Sequence, residues 1–170
     1  MEQKLYILSG KRGCGKSTYL QKFVKYLDKK SITYTGVLAP GVFEGKKKVA
    51  IDNVLLPEGE RFRFADHKVG GGQVGFSKNW KFDLDAMDKV NEYFHHIEIK
   101  DFVIVDELGP LELVQNKGIF YACRLLVGLK YKRAVVVVRP HQVETAKIKF
   151  STSPRIKVID TDTKFSSLIK

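Results

Sequence analysis

Gly10-Lys11-Arg12-Gly13-Cys14-Gly15-Lys16-Ser17 follows closely on an apolar run, Leu5-Tyr6-Ile7-Leu8, and fits G-x-x-x-x-G-K-[ST] at every fixed position. An apolar strand before the glycines and an amphipathic helix after them are the context that separates a phosphate-binding loop from a chance match. The glycines let the backbone curl so that successive N–H groups point inward at an anion. In such a loop Lys16 reaches the β- and γ-phosphates, and the Ser17 hydroxyl can ligate Mg²⁺. The helix that starts here turns its positive N-terminal end toward the same anion. Lys11 and Arg12 occupy variable positions of the motif, and Arg12 is read as solvent-exposed.

The 170 residues suffice for one domain with a substantial core, 1–170, and are too few for two ordinary ones. Hydrophobic and charged residues make up 44% and 29% of the chain, the balance of a soluble globular protein. The longest apolar runs, such as Ala134–Val138, are far too short to span a bilayer. Met1 leads within a few residues into strand and loop, unlike a signal peptide. Cys14 and Cys123 lie far apart, and a disulfide at Cys14 would immobilise the loop, so reduced thiols and a cytoplasmic location are expected. Thirty Lys and Arg against nineteen Asp and Glu give a net charge of +11. Scattered lysine is usually a solvated face, but a basic surface attracts polyanions, which keeps nucleic acid as a weakly supported partner. The oligomeric state is left open, with a monomer favoured.

The pattern outward from the loop alternates strands and helices. Leu5–Ser9 reads as the first strand, and Leu20, Phe23, Val24 and Leu27 recur at helical spacing after the loop. Thr33–Ala39 is a second strand, broken or bent at Pro40-Gly41. Phe43-Glu44-Gly45-Lys46 reads as a hairpin turn into Lys48–Leu56, and Pro57-Glu58-Gly59 as a turn into Arg61–Phe64. Val69–Gly75 reads as a flexible connection. Asp83 caps a helix with Leu84, Met87, Val90, Phe94 and Ile97 on one face. Phe102–Val105 is a buried-type strand, followed by a helix within Ile119–Lys130, strands Ala134–Val138 and Ile156–Ile159, and a short tail. The expectation is an α/β fold whose mainly parallel sheet carries an inserted antiparallel meander.

The run Phe102-Val103-Ile104-Val105 ends in two acids, Asp106-Glu107. In phosphate-loop enzymes an Asp in this position binds the Mg²⁺ shell, which makes Ser17 and Asp106 the candidate metal ligands. Glu107 is then placed to orient or deprotonate water, and a poised carboxylate favours hydrolysis over kinase chemistry. Arg139 directly follows Ala134–Val138. It can reach a γ-phosphate if that strand lies between the loop strand and the Asp106 strand. Lys16, Glu107 and Arg139 are thus the candidate catalytic residues. Cys14 has no His partner nearby, His95-His96 has no metal-ligand spacing, and Trp80 and Phe82 read as core rather than base-stacking residues.

Asp106-Glu107-Leu108-Gly109-Pro110-Leu111-Glu112-Leu113 resembles the D-E-[IL]-G-x-[LM]-E-L signature of the thermophilic-type nucleoside-triphosphatase family, also named for its human cancer-related relative. The N-terminal loop, Thr35-Gly36-Val37 before a hairpin, and the total length agree with it. The resemblance implies a RecA-like fold and slow, Mg²⁺-dependent hydrolysis of ATP, GTP and other nucleoside triphosphates to diphosphate and phosphate. It also implies two nucleotide-binding segments: Gly10–Ser17, with Thr18 adjoining, and Phe102–Gly109, where Glu107 is the catalytic carboxylate. The chain departs from the family in its basic Lys11-Arg12, and in Thr161-Asp162-Thr163-Lys164 where relatives often carry an Asn-Arg pair. Two other readings stand beside this one. One is a nucleotide or small-molecule kinase with Arg61 and Arg63 in its lid; the other is a nucleotide-gated nucleic-acid-binding protein.

Overall fold

Strand residues that alternate between two apolar sets require cover on both sides, and the chain supplies it from separate helices. The computed structural model describes residues 2–68 and 77–170. Its strands are β1 (Lys4–Leu8), β2 (Tyr34–Leu38), β3 (Gly41–Glu44), β4 (Lys47–Leu56), β5 (Arg61–His67), β6 (Trp80–Phe82), β7 (Phe102–Leu108), β8 (Arg133–Val138) and β9 (Arg155–Ile159). The helices are α1 (Lys16–Lys29), α2 (Leu84–His96), α3 (Pro110–Leu113), α4 (Phe120–Val127) and α5 (Val143–Lys149). Among the described residues all strands join one sheet in the order β6-β5-β4-β2-β7-β8-β1-β9, with β3 beside β4. The five strands from β2 to β9 in that order pair in parallel, and those from β6 to β2 pair antiparallel. This is the mainly parallel sheet with an antiparallel extension that the sequence pattern predicts.

Leu5 and Ile7 face one core with Val103, Val105, Val136 and residues of α2 and α4. Tyr6 and Leu8 face the other with Phe102, Ile104, Val135, Val137 and α1. The alternation also fixes which strand-end side chains share the face of the phosphate loop, because α1 begins at Lys16. The expected tail belongs to the α1 side: Leu168 is fully buried there, and Phe165 stacks edge-on against Tyr19 at 4.9 Å.

Several elements differ from the sequence pattern in extent. The strand breaks at Pro40-Gly41 as expected, β2 ending at Leu38, but the chain resumes at Gly41 as a further strand, β3, because β4 is long enough to pair with β3 and then with β2. Asp83 caps α2 as its spacing predicts, accepting from Ala86 N at 2.9 Å. Leu84, placed on the buried face, is the first residue of α2 and is 60% exposed. The connection at Val69–Gly75 lies outside the described residues. Within them, no helix is long and apolar enough to cross a membrane.

Gly36 shows how closely β2 and β7 must approach. It has φ +134°, and a Cβ there would lie 1.9 Å from the Ile104 carbonyl oxygen. Its N–H donates to Tyr93 Oη at 2.9 Å, which itself donates to Leu56 O at 2.6 Å and so ties α2 across β2 and β4. Gly36→Ala is predicted to cost about 3 kcal/mol or more, from strain and overpacking together. Gly45→Ala, at the open hairpin tip where φ is +58°, should cost only about 1–2 kcal/mol. Thermal denaturation of the two variants checks this ranking, and equal losses would refute it.

Candidate nucleotide site

The phosphate loop runs from β1 into α1 with Gly13 and Gly15 at φ +76° and +89°, a conformation open to glycine and costly to other residues. Lys11, Arg12, Cys14 and Thr18 are exposed, while Lys16 and Ser17 are half-buried. The Lys16 ammonium donates to the Gly10 and Lys11 carbonyls at 2.8 and 3.0 Å. It thus folds back over the loop onto the loop's own carbonyls.

β8 lies between β1 and β7, the arrangement that Arg139 needs. Asp106 has the parity of Phe102 and Ile104, so its carboxylate falls on the α1 face. There Asp106 Oδ2 accepts from Ser17 Oγ at 3.0 Å and from Ala39 N at 2.9 Å. Phe102–Val105 and Leu108, named with the nucleotide-binding segment, are fully buried between the two cores. They make no surface for a ligand and serve the site by holding Asp106 in place.

Glu107 is positioned by an irregularity. Strict alternation would turn its side chain toward the α2 and α4 face, away from the loop. Val105 instead pairs with Val136 and Leu108 with Val138, so β7 carries one more residue than β8 between these pairs. The extra residue makes a bulge, and Glu107 takes φ +69°. Its Oε1 lies 3.0 Å from both Nε and Nη2 of Arg139. A non-glycine residue in the left-handed region costs of order 1–3 kcal/mol and persists where its surroundings hold it.

One such support is Glu112, a residue the sequence reading quoted in the octapeptide without assigning it a role. Its carboxylate accepts from Gly109 N at 3.0 Å and from Ile119 N at 3.2 Å. It ties the exit of β7 to the start of α4. Burial raises its pKa against the pull of those hydrogen bonds. The signal was present as Gly109-Pro110-Leu111-Glu112: Pro at the first helical position and Glu at the third mark a helix start. Ala39 was missed as well, because a backbone N–H leaves no mark in a sequence.

Of the remaining candidates, Cys14 is an exposed free thiol within the phosphate loop, Cys123 is free and buried, and His95 and His96 are exposed on α2. Trp80 sits on the edge strand β6, edge-on to His67 at 5.3 Å. Arg61 and Arg63 both bind Asp52, at 2.8 and 2.7 Å, and Arg63 also binds Asp66 at 2.6 Å.

Asp106 and Ser17 form a hard oxygen pair suited to a small divalent cation. Among the described residues no three His, Cys, Asp or Glu side chains cluster as a ligand set, so further ligands to such an ion would be phosphate oxygens and water. Burial pushes the Asp106 carboxyl up to about 6, opposed by the Ala39 and Ser17 hydrogen bonds. A raised folded-state value favours the native state below the usual 3.8, and that gain is lost as pH rises through about 6. The ionised carboxylate then costs the free protein ~3 kcal/mol at neutral pH. Asp106→Asn, whose carbonyl can accept the same two hydrogen bonds, is predicted to raise stability at pH 7 by about 2–3 kcal/mol. It should also flatten the fall in stability between pH 4 and 6. Urea melts across that range test this, and a variant less stable than the parent at pH 7 would contradict it.

A family model described as NTPase matches residues 5–164. The chain is 32% identical over 111 residues to nucleoside-triphosphatase THEP1 of Methanopyrus kandleri, a match over 65% of this chain and 60% of that relative's length. It is 23% identical over 158 residues to nucleoside-triphosphatase THEP1 of Methanothermobacter thermautotrophicus, covering 92% of this chain and 87% of that one. Among solved structures it resembles THEP1 from Aquifex aeolicus with a TM-score of 0.65 at 16% identity, over 96% and 95% of the two chains. It resembles a human cancer-related nucleoside triphosphatase with a TM-score of 0.62 at 15% identity, over 93% and 88%. These likenesses agree with the phosphate loop, the two acids of β7 and the octapeptide: the chain belongs to the NTPase family.

Proposed function

We propose that this protein is a Mg²⁺-dependent nucleoside-triphosphatase that hydrolyses ATP, GTP and other nucleoside triphosphates to diphosphate and phosphate. The observation that carries the reading is a pair of 3.0 Å contacts around the end of β7: Ser17, in the first turn of α1, with Asp106, and Arg139, just past β8, with Glu107. The loop N–H groups and Lys16 hold the phosphates, Lys16 exchanging its contacts with the Gly10 and Lys11 carbonyls for β- and γ-oxygens. Ser17 and Asp106 hold Mg²⁺, which when bound supplies positive charge against the phosphate oxygens. Arg139 leaves Glu107 for the γ-phosphate, and the freed carboxylate takes a proton from the attacking water. Positioning and charge stabilisation then account for most of the rate.

A cavity of about 400 Å³ beside the loop, lined by Thr18, Tyr19, Thr161, Thr163, Lys164 and Phe165 among others, is of a size to take the base and sugar. Its lining holds no carboxylate or carboxamide to read a base edge, which supports broad base tolerance. The kinase reading requires Arg61 and Arg63 to leave Asp52 and Asp66, the carboxylates they contact. The free thiols of Cys14 and Cys123 support a reducing, cytoplasmic location.

Phosphate release from a panel of triphosphates tests the reading. Several should be hydrolysed, and chelation of Mg²⁺ should abolish release until the ion is restored. Glu107→Gln should lower kcat at least about 100-fold with nucleotide still bound. Parent-like turnover by that variant would remove Glu107 as the base. Phosphate passing to an added nucleoside monophosphate instead of water would establish the kinase.

A further inference from the structure

The antiparallel extension overhangs the site. β4 pairs with β2 through Val54–Leu56 and with β3 through Lys47–Ile51, so the β3–β4 hairpin lies beyond the carboxyl end of β2. That is the edge where Ala39 N meets Asp106. The hairpin carries Lys46, Lys47 and Lys48 in a row, but the three are not equivalent. Lys46 and Lys47 are exposed at the tip, whereas Lys48 is half-buried and opposite Phe43. An extra residue in β4 at Val49 shifts the register there, so the lysine folds back over the start of β3. Its chain crosses Gly41 so closely that a Cβ at Gly41 would lie 2.7 Å from Lys48 Cε. Gly41 is two residues from Ala39.

The Lys48 ammonium has no carboxylate partner within salt-bridge distance among the described residues, unlike Arg61, Arg63 and Arg139. It sits 5.6 Å from the ring centroid of Trp80, the only tryptophan of the chain. A half-buried cation parked on an aromatic face, packed against Gly41 two residues beyond the Ala39 N–H that binds Asp106, has exchanged bulk water for a weak partner. A triphosphate terminus is a far stronger one.

We infer that Lys48 is a γ-phosphate-binding cation delivered by the inserted hairpin, held against Trp80 until a triphosphate draws it onto the terminal phosphate. The inference rests on the proposed function for the identity of the ligand. It gives the hairpin a role that composition alone assigns to a solvated face. It also couples the γ-phosphate to the environment of one indole.

Trp80 emission and steady-state kinetics test this together. With Mg²⁺, a non-hydrolysable triphosphate analogue should change Trp80 emission in the parent protein, and the diphosphate should not. Lys48→Met should remove that response, lower kcat/KM at least about tenfold and leave diphosphate affinity within about twofold. Lys48→Arg should recover most of the loss, and Lys47→Met should behave as the parent. The inference is overturned if Lys48→Met keeps parent kcat/KM, if it weakens diphosphate and triphosphate equally, or if the analogue binds without altering Trp80 emission. If the parent releases no phosphate from any triphosphate, hydrolysis itself fails. Emission and affinity for the analogue against the diphosphate then still decide whether Lys48 reads a third phosphate.

Discussion

The Asp106 carboxylate has left water almost entirely, at 5% exposure, yet it accepts hydrogen bonds from two elements far from it in the sequence. Ser17 belongs to the first turn of α1, and Ala39 to the end of β2. A buried acid without a counter-cation is costly, and its pKa rises accordingly. The same cost makes it a receptor for positive charge, so the apo fold carries a destabilising feature that a bound cation would relieve. Stability and function pull in opposite directions at this residue, as is common where a site must be polar inside a dry fold.

The rest of the site is arranged around that carboxylate by strand geometry. Parity places Asp106 and Arg139 on the α1 face. It would place Glu107 on the other one, and a single extra residue in β7 changes that. The strain at Glu107 is held from both sides: by Arg139 at its side chain, and by the buried Glu112 carboxylate, which binds Gly109 just beyond the bulge. The octapeptide thus contains its own support. Asp106 and Glu107 contact Ser17 and Arg139, Gly109 and Pro110 turn the chain into α3, and Glu112 anchors that turn against the start of α4.

What was legible in the sequence follows from this. The phosphate loop and the two acids could be read because their chemistry depends on residue types at fixed spacing along one chain. The order of β1, β8 and β7 could be framed as a condition on Arg139, but the condition is met by pairing between segments that no local pattern specifies. The bulge at Glu107 was not legible, since a bulge is a mismatch between two strands and belongs to neither alone. The break at Pro40-Gly41 and the turn into β4 could be read from their turn residues, but β3 as a strand of its own could not, since it exists through pairing with the first half of a long β4. Leu84 matched the helical apolar stripe, but whether a stripe's first residue is covered depends on what packs there. Lys48 looked like any surface lysine because its fold-back over Gly41 depends on the register of β3 against β4.

The central claim is that Ser17 and Asp106 together hold a divalent cation that arrives with the nucleotide. Electron paramagnetic resonance of Mn²⁺, standing in for Mg²⁺, measures this directly in the presence of a non-hydrolysable triphosphate. The account predicts one tightly held Mn²⁺ per chain only when nucleotide is present, lost in Ser17→Ala and in Asp106→Asn while nucleotide remains bound. Mn²⁺ held equally well by both variants, or held without nucleotide, would contradict it.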